Sequence, residues 1–123
     1  MSRIRGQDTK PEIVVRKLLH AHGLRFRLHV KNLPGKPDIV LRKYKTVIMV
    51  NGCFWHRHQG CRFAYTPKSN EEFWMEKFRL NVERDARNLE LLRSAGWRVE
   101  LVWECETKLH EELADRLMEL FLK

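Results

Sequence analysis

The sequence predicts an α/β domain built on a mixed central sheet flanked by helices, in the order αβββαβα. Three observations predict it. Short apolar stretches of strand length are interleaved with stretches of helical period. Two of the strands are separated by a hairpin-sized turn, which makes them antiparallel neighbours. A long helical pattern then separates the third strand from the fourth, as a crossover does.

Each element has its own local reason. Thr9-Lys10-Pro11-Glu12 reads as a capping box, with Thr9 as N-cap and Glu12 reaching back from the third helical position. Pro11 fits the first turn, where its missing N–H is not needed. Apolar pairs Val14/Leu18 and Val15/Leu19 carry the helix to Gly23, which stops it. From Leu24 to Val30 the chain alternates strictly. Leu24, Phe26, Leu28 and Val30 face one way and Arg25, Arg27 and His29 the other, which predicts a half-buried strand with a basic outer face. Residues 32–37 form a turn rich in proline and glycine, after which Asp38 opens an apolar strand, Ile39–Leu41. Arg42–Lys45 is the hairpin connection into a second apolar strand, Thr46–Val50, ended by Asn51-Gly52. Residues 51–70 show no period. A long helix follows from about Asn70 to Gly96, with Phe73, Phe78, Val82, Ala86, Leu89 and Leu92 as its expected apolar stripe. Trp97–Trp103 is the fourth strand and Leu109–Leu122 an amphipathic closing helix.

Composition bounds the function. At 123 residues the chain is one domain's worth, residues 1–123, and its 43% hydrophobic content supports a core. No repeat, low-complexity segment or linker divides it. No apolar run approaches a membrane span, and the first ten residues are too polar for a secretory signal. Three cysteines is an odd count for a disulfide framework. The expectation is a soluble cytoplasmic protein. Its 24 Lys and Arg against 16 Asp and Glu give a net charge of +8, which suits an anionic partner. Basic charge alone says little, but here it is interleaved with stackable aromatics in Cys53–His58 and Phe73–Arg79.

Two groups of residues carry chemistry. Cys53, His58 and Cys61 stand in C-x4-H-x2-C spacing, and Cys105 lies at the end of the fourth strand, where the chain can return beside them. A Cys3His set suits tetrahedral Zn2+ and leaves no position for a reacting water, so the zinc would be structural. Buried thiols with surface histidines are the alternative. His56 and His58 compete for the ligand position; His58 is placed on zinc and His56 is left for chemistry. Asp38, at a strand start, must meet the Asn51–His56 segment at one end of the hairpin-joined sheet. A carboxylate, a Mg2+ ion and an imidazole there would form a phosphodiesterase centre. An ordinary turn carboxylate is the alternative for Asp38, and capping alone accounts for Glu12.

Several short stretches in this order resemble the very-short-patch repair endonucleases. They are Leu33–Asp38, Asn51–His56, Phe73-Trp74, Asn81–Asp85, Gly96–Val99 and Val102–Cys105, and the resemblance runs from about Asp8 to Cys105. It implies a restriction-endonuclease-like core of the PD-(D/E)xK type with a zinc-clamped loop. It also implies an enzyme that nicks one strand of duplex DNA beside a T:G mismatch, with Mg2+, leaving a 5′-phosphate. Carried over by position, Asp38 matches an aspartate that bridges two Mg2+ ions and Val50 a residue that lends its backbone carbonyl. His56 matches the catalytic histidine, and Glu12 an N-terminal glutamate of the site. Cys53, His58, Cys61 and Cys105 match the zinc ligands, and Phe54, Trp55 and Trp74 the aromatics that wedge into the base stack. Trp74, Lys77 and Asn81 share a helix face suited to a mispaired base edge. Large aromatic faces would replace the stacking lost at a weak wobble pair.

Three positions depart from the family pattern. Asn51 stands where a second histidine is usual, Gly60 is an extra residue before Cys61, and residues 1–8 form only a short basic arm. The expected partner is mismatched double-stranded DNA, with other mismatch-repair proteins as further candidates, no membrane, and a monomeric state. The +8 charge is expected to face phosphate partly through Arg25, Arg27, Lys77 and Arg79. Two other readings stay open: a nickase of the same fold acting on other damaged or restriction-linked sites, and a zinc-stabilised DNA-binding module with weak or no catalysis.

Overall fold

The computed structural model describes residues 9–54, 56–62 and 64–121. The predicted arm (1–8), Trp55 and Leu122 lie outside the described residues. The elements are helix α1 (Lys10–Ala21), strands β1 (Arg27–Leu28), β2 (Ile39–Leu41) and β3 (Thr46–Asn51), helix α2 (Glu71–Ser94), strand β4 (Arg98–Trp103) and helix α3 (His110–Phe121). This is the αβββαβα order expected from sequence. The four strands form one sheet in the order β1-β2-β3-β4. Its first two pairings are antiparallel, with Leu28 opposite Ile39 and Ile39 opposite Ile48. β3 and β4 run parallel, from Thr46 opposite Arg98 to Asn51 opposite Trp103, with α2 as the crossover.

Strand alternation divides the core between the two faces of the sheet. Ile39, Leu41, Ile48 and Val102 pack with Val15 and Leu19 of α1 and with Leu113, Leu117 and Phe121 of α3. Val40, Val47 and Val99 pack on the other side with Leu92 of α2 and Trp97. Strands covered on both faces read as unbroken apolar runs, which is why Ile39–Leu41 shows no alternation and is buried throughout.

Local chemistry sets the element ends. The Thr9 side chain accepts the Glu12 N–H at 3.4 Å, and its hydroxyl donates to Glu12 Oε2 at 3.1 Å, which fixes the start of α1. The hairpin between β2 and β3 is a 3-10 turn over Arg42–Tyr44, closed by Lys45 in the left-handed region at φ 51°. Gly35 also has positive φ (74°), and a Cβ there would come within 3.1 Å of the Asn88 side chain. Glycine therefore lets the 32–37 turn lie directly against α2.

Two elements differ from expectation. Only Arg27–Leu28 of the predicted 24–30 strand pairs with β2, and Leu28 is exposed rather than buried. His29 takes φ 50°, which breaks the alternation and turns its ring away from the expected outer face. On α2, Phe73, Val82 and Ala86 are exposed. The inward stripe is instead Trp74, Phe78, Asn81, Asp85, Asn88, Leu89 and Leu92. The first half of this helix rests on the loop after β3 rather than on the sheet, so Trp74 and Phe78 pack against Phe54, with ring centroids 5.6 and 5.2 Å away.

Candidate active site and metal centre

Asp38 precedes β2 and reaches across to β3, where its Oδ2 accepts the Val50 N–H at 2.7 Å. Burial raises its pKa from 3.8 to about 6, against the lowering effect of the Val50 hydrogen bond, and the nearby Glu12 carboxylate raises it further. Glu12 is 3% exposed at the start of α1. Its carboxylate, the His29 ring and the Asp38 carboxylate offer ligand atoms that all lie within 4.8 Å of one another. Asn51, the last residue of β3, is buried beside them at the sheet end.

His56 comes from the loop after β3, and its Nδ1 lies 2.5 Å from Asp85 Oδ2 on α2. An ionised carboxylate only accepts, so Nδ1 carries the proton and Nε2 is the nitrogen left for exchange. Glu12, Asp38, Asn51, His56 and Asp85 all line one cleft of about 1140 Å³, between the 32–37 turn and α2. The sheet end therefore brings together Glu12, Asp38, Val50, Asn51 and His56 as expected. It adds His29 and Asp85, to which the sequence reading gave no site role. Asp85 had a usable signal, since it closes the Asn81–Asp85 stretch on which the family resemblance partly rests.

The second cluster joins the same loop to the 3-10 turn after β4. Cys53, His58, Cys61 and Cys105 place their ligand atoms within 4.8 Å of one another. His58 Nδ1 is 3.6 Å from Cys53 Sγ and 3.5 Å from Cys105 Sγ. With Zn–S near 2.3 Å and Zn–N near 2.0–2.1 Å, a tetrahedron has S···N edges of about 3.5 Å. The donor set and its spacing fit zinc, and four protein ligands close the site. Burial, with Cys105 and Cys61 alongside, pushes the Cys53 thiol up to about 12, and burial raises Cys105 as well. A divalent cation reverses that preference by binding thiolates. The His58 ring stacks on Trp103, with centroids 4.2 Å apart, which fixes the ligand's orientation.

Arg57 secures the loop between the two clusters. Its guanidinium donates to the Phe54, Tyr65 and Ala64 carbonyls and to the Thr66 hydroxyl, and lies 3.9 Å from the Phe78 ring centre. Phe54 and Trp74, the expected wedge residues within the described chain, are both half-buried in this aromatic group, and Phe54 lines the cleft. Asn81 shares their inward side and accepts from Arg84, while Lys77 is exposed. The expectation that Arg79 supplies phosphate-facing charge needs correction, because Arg79 is paired with both Glu76 and Glu83.

Comparison with known proteins places this geometry. The family model described as "DNA mismatch endonuclease Vsr" matches residues 1–62. A type II nicking enzyme of Neisseria meningitidis is 48% identical over 120 residues, covering 98% of this chain and 85% of that protein. The DNA mismatch endonuclease Vsr of Escherichia coli K12 is 43% identical, covering 96% of this chain and 75% of the relative. Among solved structures, the catalytic domain of the homing endonuclease I-Bth0305I superposes with a TM-score of 0.66 at 23% identity, covering 94% of this chain and 96% of that one. That likeness shows the restriction-endonuclease-like fold. With the family match and relatives of this similarity, the chain belongs to the Vsr family of DNA endonucleases.

Proposed function

We propose that the protein nicks one strand of duplex DNA beside a T:G mismatch by Mg2+-dependent hydrolysis, leaving a 5′-phosphate. The observation that carries the reading is one cleft holding both the buried Asp38 carboxylate and the His56–Asp85 pair. Asp38 and the Val50 carbonyl are the oxygen donors that would hold Mg2+, a hard cation, and Glu12 would accept hydrogen bonds from its waters. The ion, up to two of them, supplies Lewis-acid polarisation of the phosphoryl oxygens and neutralises developing charge. His56 Nε2 accepts a proton from the attacking water, while Asp85 holds the ring through Nδ1. The water oxygen bonds to phosphorus, and the P–O3′ bond breaks with its electron pair going to O3′. Asn51 can donate a hydrogen bond to a phosphate oxygen but cannot deliver a proton, so O3′ takes its proton from solvent.

Specificity would come from Phe54, Trp55 and Trp74 entering the stack where a wobble pair is cheapest to open, with Lys77 and Asn81 beside them. Stacking of this kind contributes about 1–3 kcal/mol per base. Zinc on Cys53, His58, Cys61 and Cys105 would hold the loop that carries Phe54 and His56. One nick needs one active site, so a monomer suffices. No helix among the described residues is long and apolar enough to cross a membrane, and a cytoplasmic location would give access to duplex DNA.

A panel of strand-labelled duplexes tests the reading. T:G should be cut on one strand and only with Mg2+, while fully paired DNA stays intact. A second reading is favoured by the relatives named as type II nicking enzymes. It holds that the preferred site is another lesion or a restriction-linked sequence, and preferential cutting of a uracil-containing, abasic or paired duplex over T:G would establish it.

A further inference from the structure

Arg16 and His29 touch the candidate active site without lining its cleft. Arg16 follows Glu12 by one helical turn of α1, and its NH2 group lies 3.4 Å from Glu12 Oε1 and 3.1 Å from His29 Nε2. His29 reaches that position because its backbone is left-handed, and its N–H donates to the Asp38 carbonyl at 3.2 Å. A closed chain of contacts thus runs from the Asp38 backbone through His29 and Arg16 to the Glu12 carboxylate. It ties α1 to β2 where the two carboxylates meet.

We infer that Arg16 and His29 are positioning residues that hold Glu12 against Asp38 and so shape the divalent-cation site of the cleft. This rests on the functional reading above. A guanidinium has donors and no acceptor, so it donates in its contact with His29 Nε2, and that nitrogen also lies 3.8 Å from Glu12 Oε1. His29 therefore acts as a hydrogen-bond acceptor for Arg16 and not as a cation ligand. Glu12, His29 and Asp38 have the look of a metal-binding triad, but the guanidinium already lies at contact distance from two of its members. Arg16 is the resident cation there. It holds the Glu12 carboxylate in place beside a second buried carboxylate.

Mn2+ binding to the zinc-loaded protein, followed by the loss of the free-ion EPR signal, tests this without requiring cleavage. Asp38→Ala sets the background. Partners of this kind shift metal affinity by about 10–100-fold, so Arg16→Met should weaken Mn2+ binding at least about tenfold. Arg16→Lys, which keeps the charge but can reach only one of the two acceptors, should fall between Arg16→Met and wild type. His29→Gln, whose amide oxygen can still accept, should bind close to wild type, whereas His29→Leu should resemble Arg16→Met. The half-saturating Mg2+ for T:G cutting should follow the same order, with the rate at saturating Mg2+ largely retained. The inference is overturned if Arg16→Met binds Mn2+ more tightly, since the guanidinium would then act only by repulsion. It is also overturned if His29→Gln and His29→Leu behave alike, or if thermal stability falls while cation binding does not move. Failure of the functional reading would look different: wild type would bind Mn2+ in the predicted order yet leave T:G duplexes uncut.

Discussion

His56 and His58 stand two residues apart on one loop and turn to opposite sites. His58 faces three thiols, within 3.6 Å of two of them, in a half-buried corner whose four ligands can close around one ion. His56 binds the Asp85 carboxylate directly, in a cleft that Glu12, Asp38 and Asn51 also line. The comparison separates two uses of the same side chain. In the corner, imidazole and thiolates suit a soft-tolerant ion that holds structure. In the cleft, one ring nitrogen is committed to Asp85, which leaves the other for proton exchange. Under the proposed function, rigidity on one side of the loop would give geometry to the other.

That contrast can be broken from either side. The largest expected effect is on the corner: Cys53→Ser, or removal of zinc by a chelator, should lower the melting temperature by on the order of 10 °C and abolish cutting together. Thermal denaturation with parallel zinc assay and cleavage would measure it. Retained cutting in the zinc-free protein would mean that the corner does not organise the cleft. Next, His56→Ala should slow cutting by about 10²–10⁴-fold while zinc content and DNA affinity stay near wild type. Asp85→Asn should cost less, about tenfold or more, because the ring remains but its favoured tautomer is lost. Single-turnover rates on a T:G duplex decide both.

The smallest effect is thermodynamic and has a definite sign. In Mg2+-free buffer, Asp38 titrates near 6 in the folded chain against 3.8 unfolded, so the folded state binds its proton more tightly. That contribution is fully present below about pH 3.8 and is lost as pH rises through about 6. Asp38→Asn keeps an acceptor for the Val50 N–H without the buried charge. It should therefore be more stable than wild type at pH 7, by on the order of 2–3 kcal/mol, with no difference near pH 3.5. Denaturant unfolding at the two pH values would measure it. Added Mg2+ should narrow the gap at pH 7, because the ion favours the ionised carboxylate.

The two regions were also unequally legible in the sequence. Cys53, His58 and Cys61 declare themselves by local spacing, and Cys105 by its place at a strand end, so the ligand group could be read from the chain. The element order and mixed sheet were equally readable, because strand and helix periods and a hairpin turn are local signals. The cleft depends on backbone events with no local signature. His29 lies in a strictly alternating stretch, and only its left-handed backbone takes it out of the strand and toward Glu12. The phase of α2 was misjudged for a related reason. Phe73, Val82 and Ala86 form a plausible apolar stripe, but the loop aromatics, not the sheet, decide which side of the first half turns inward. With that phase corrected, Asp85 falls inside and meets His56. Arg16 gave no signal at all, since a basic residue on a helix is ordinarily a solvated one.

If one loop separates a structural corner from a chemical cleft, Asp38→Ala should affect the cleft alone. Zinc content and strand-specific cutting of a T:G duplex are measured on the same preparation, with wild type alongside. Zinc content should equal wild type and cutting should fall by at least about 10³-fold, the loss expected when several kcal/mol of metal-assisted stabilisation disappear. Cutting at the wild-type rate, or loss of zinc along with the carboxylate, would contradict that separation.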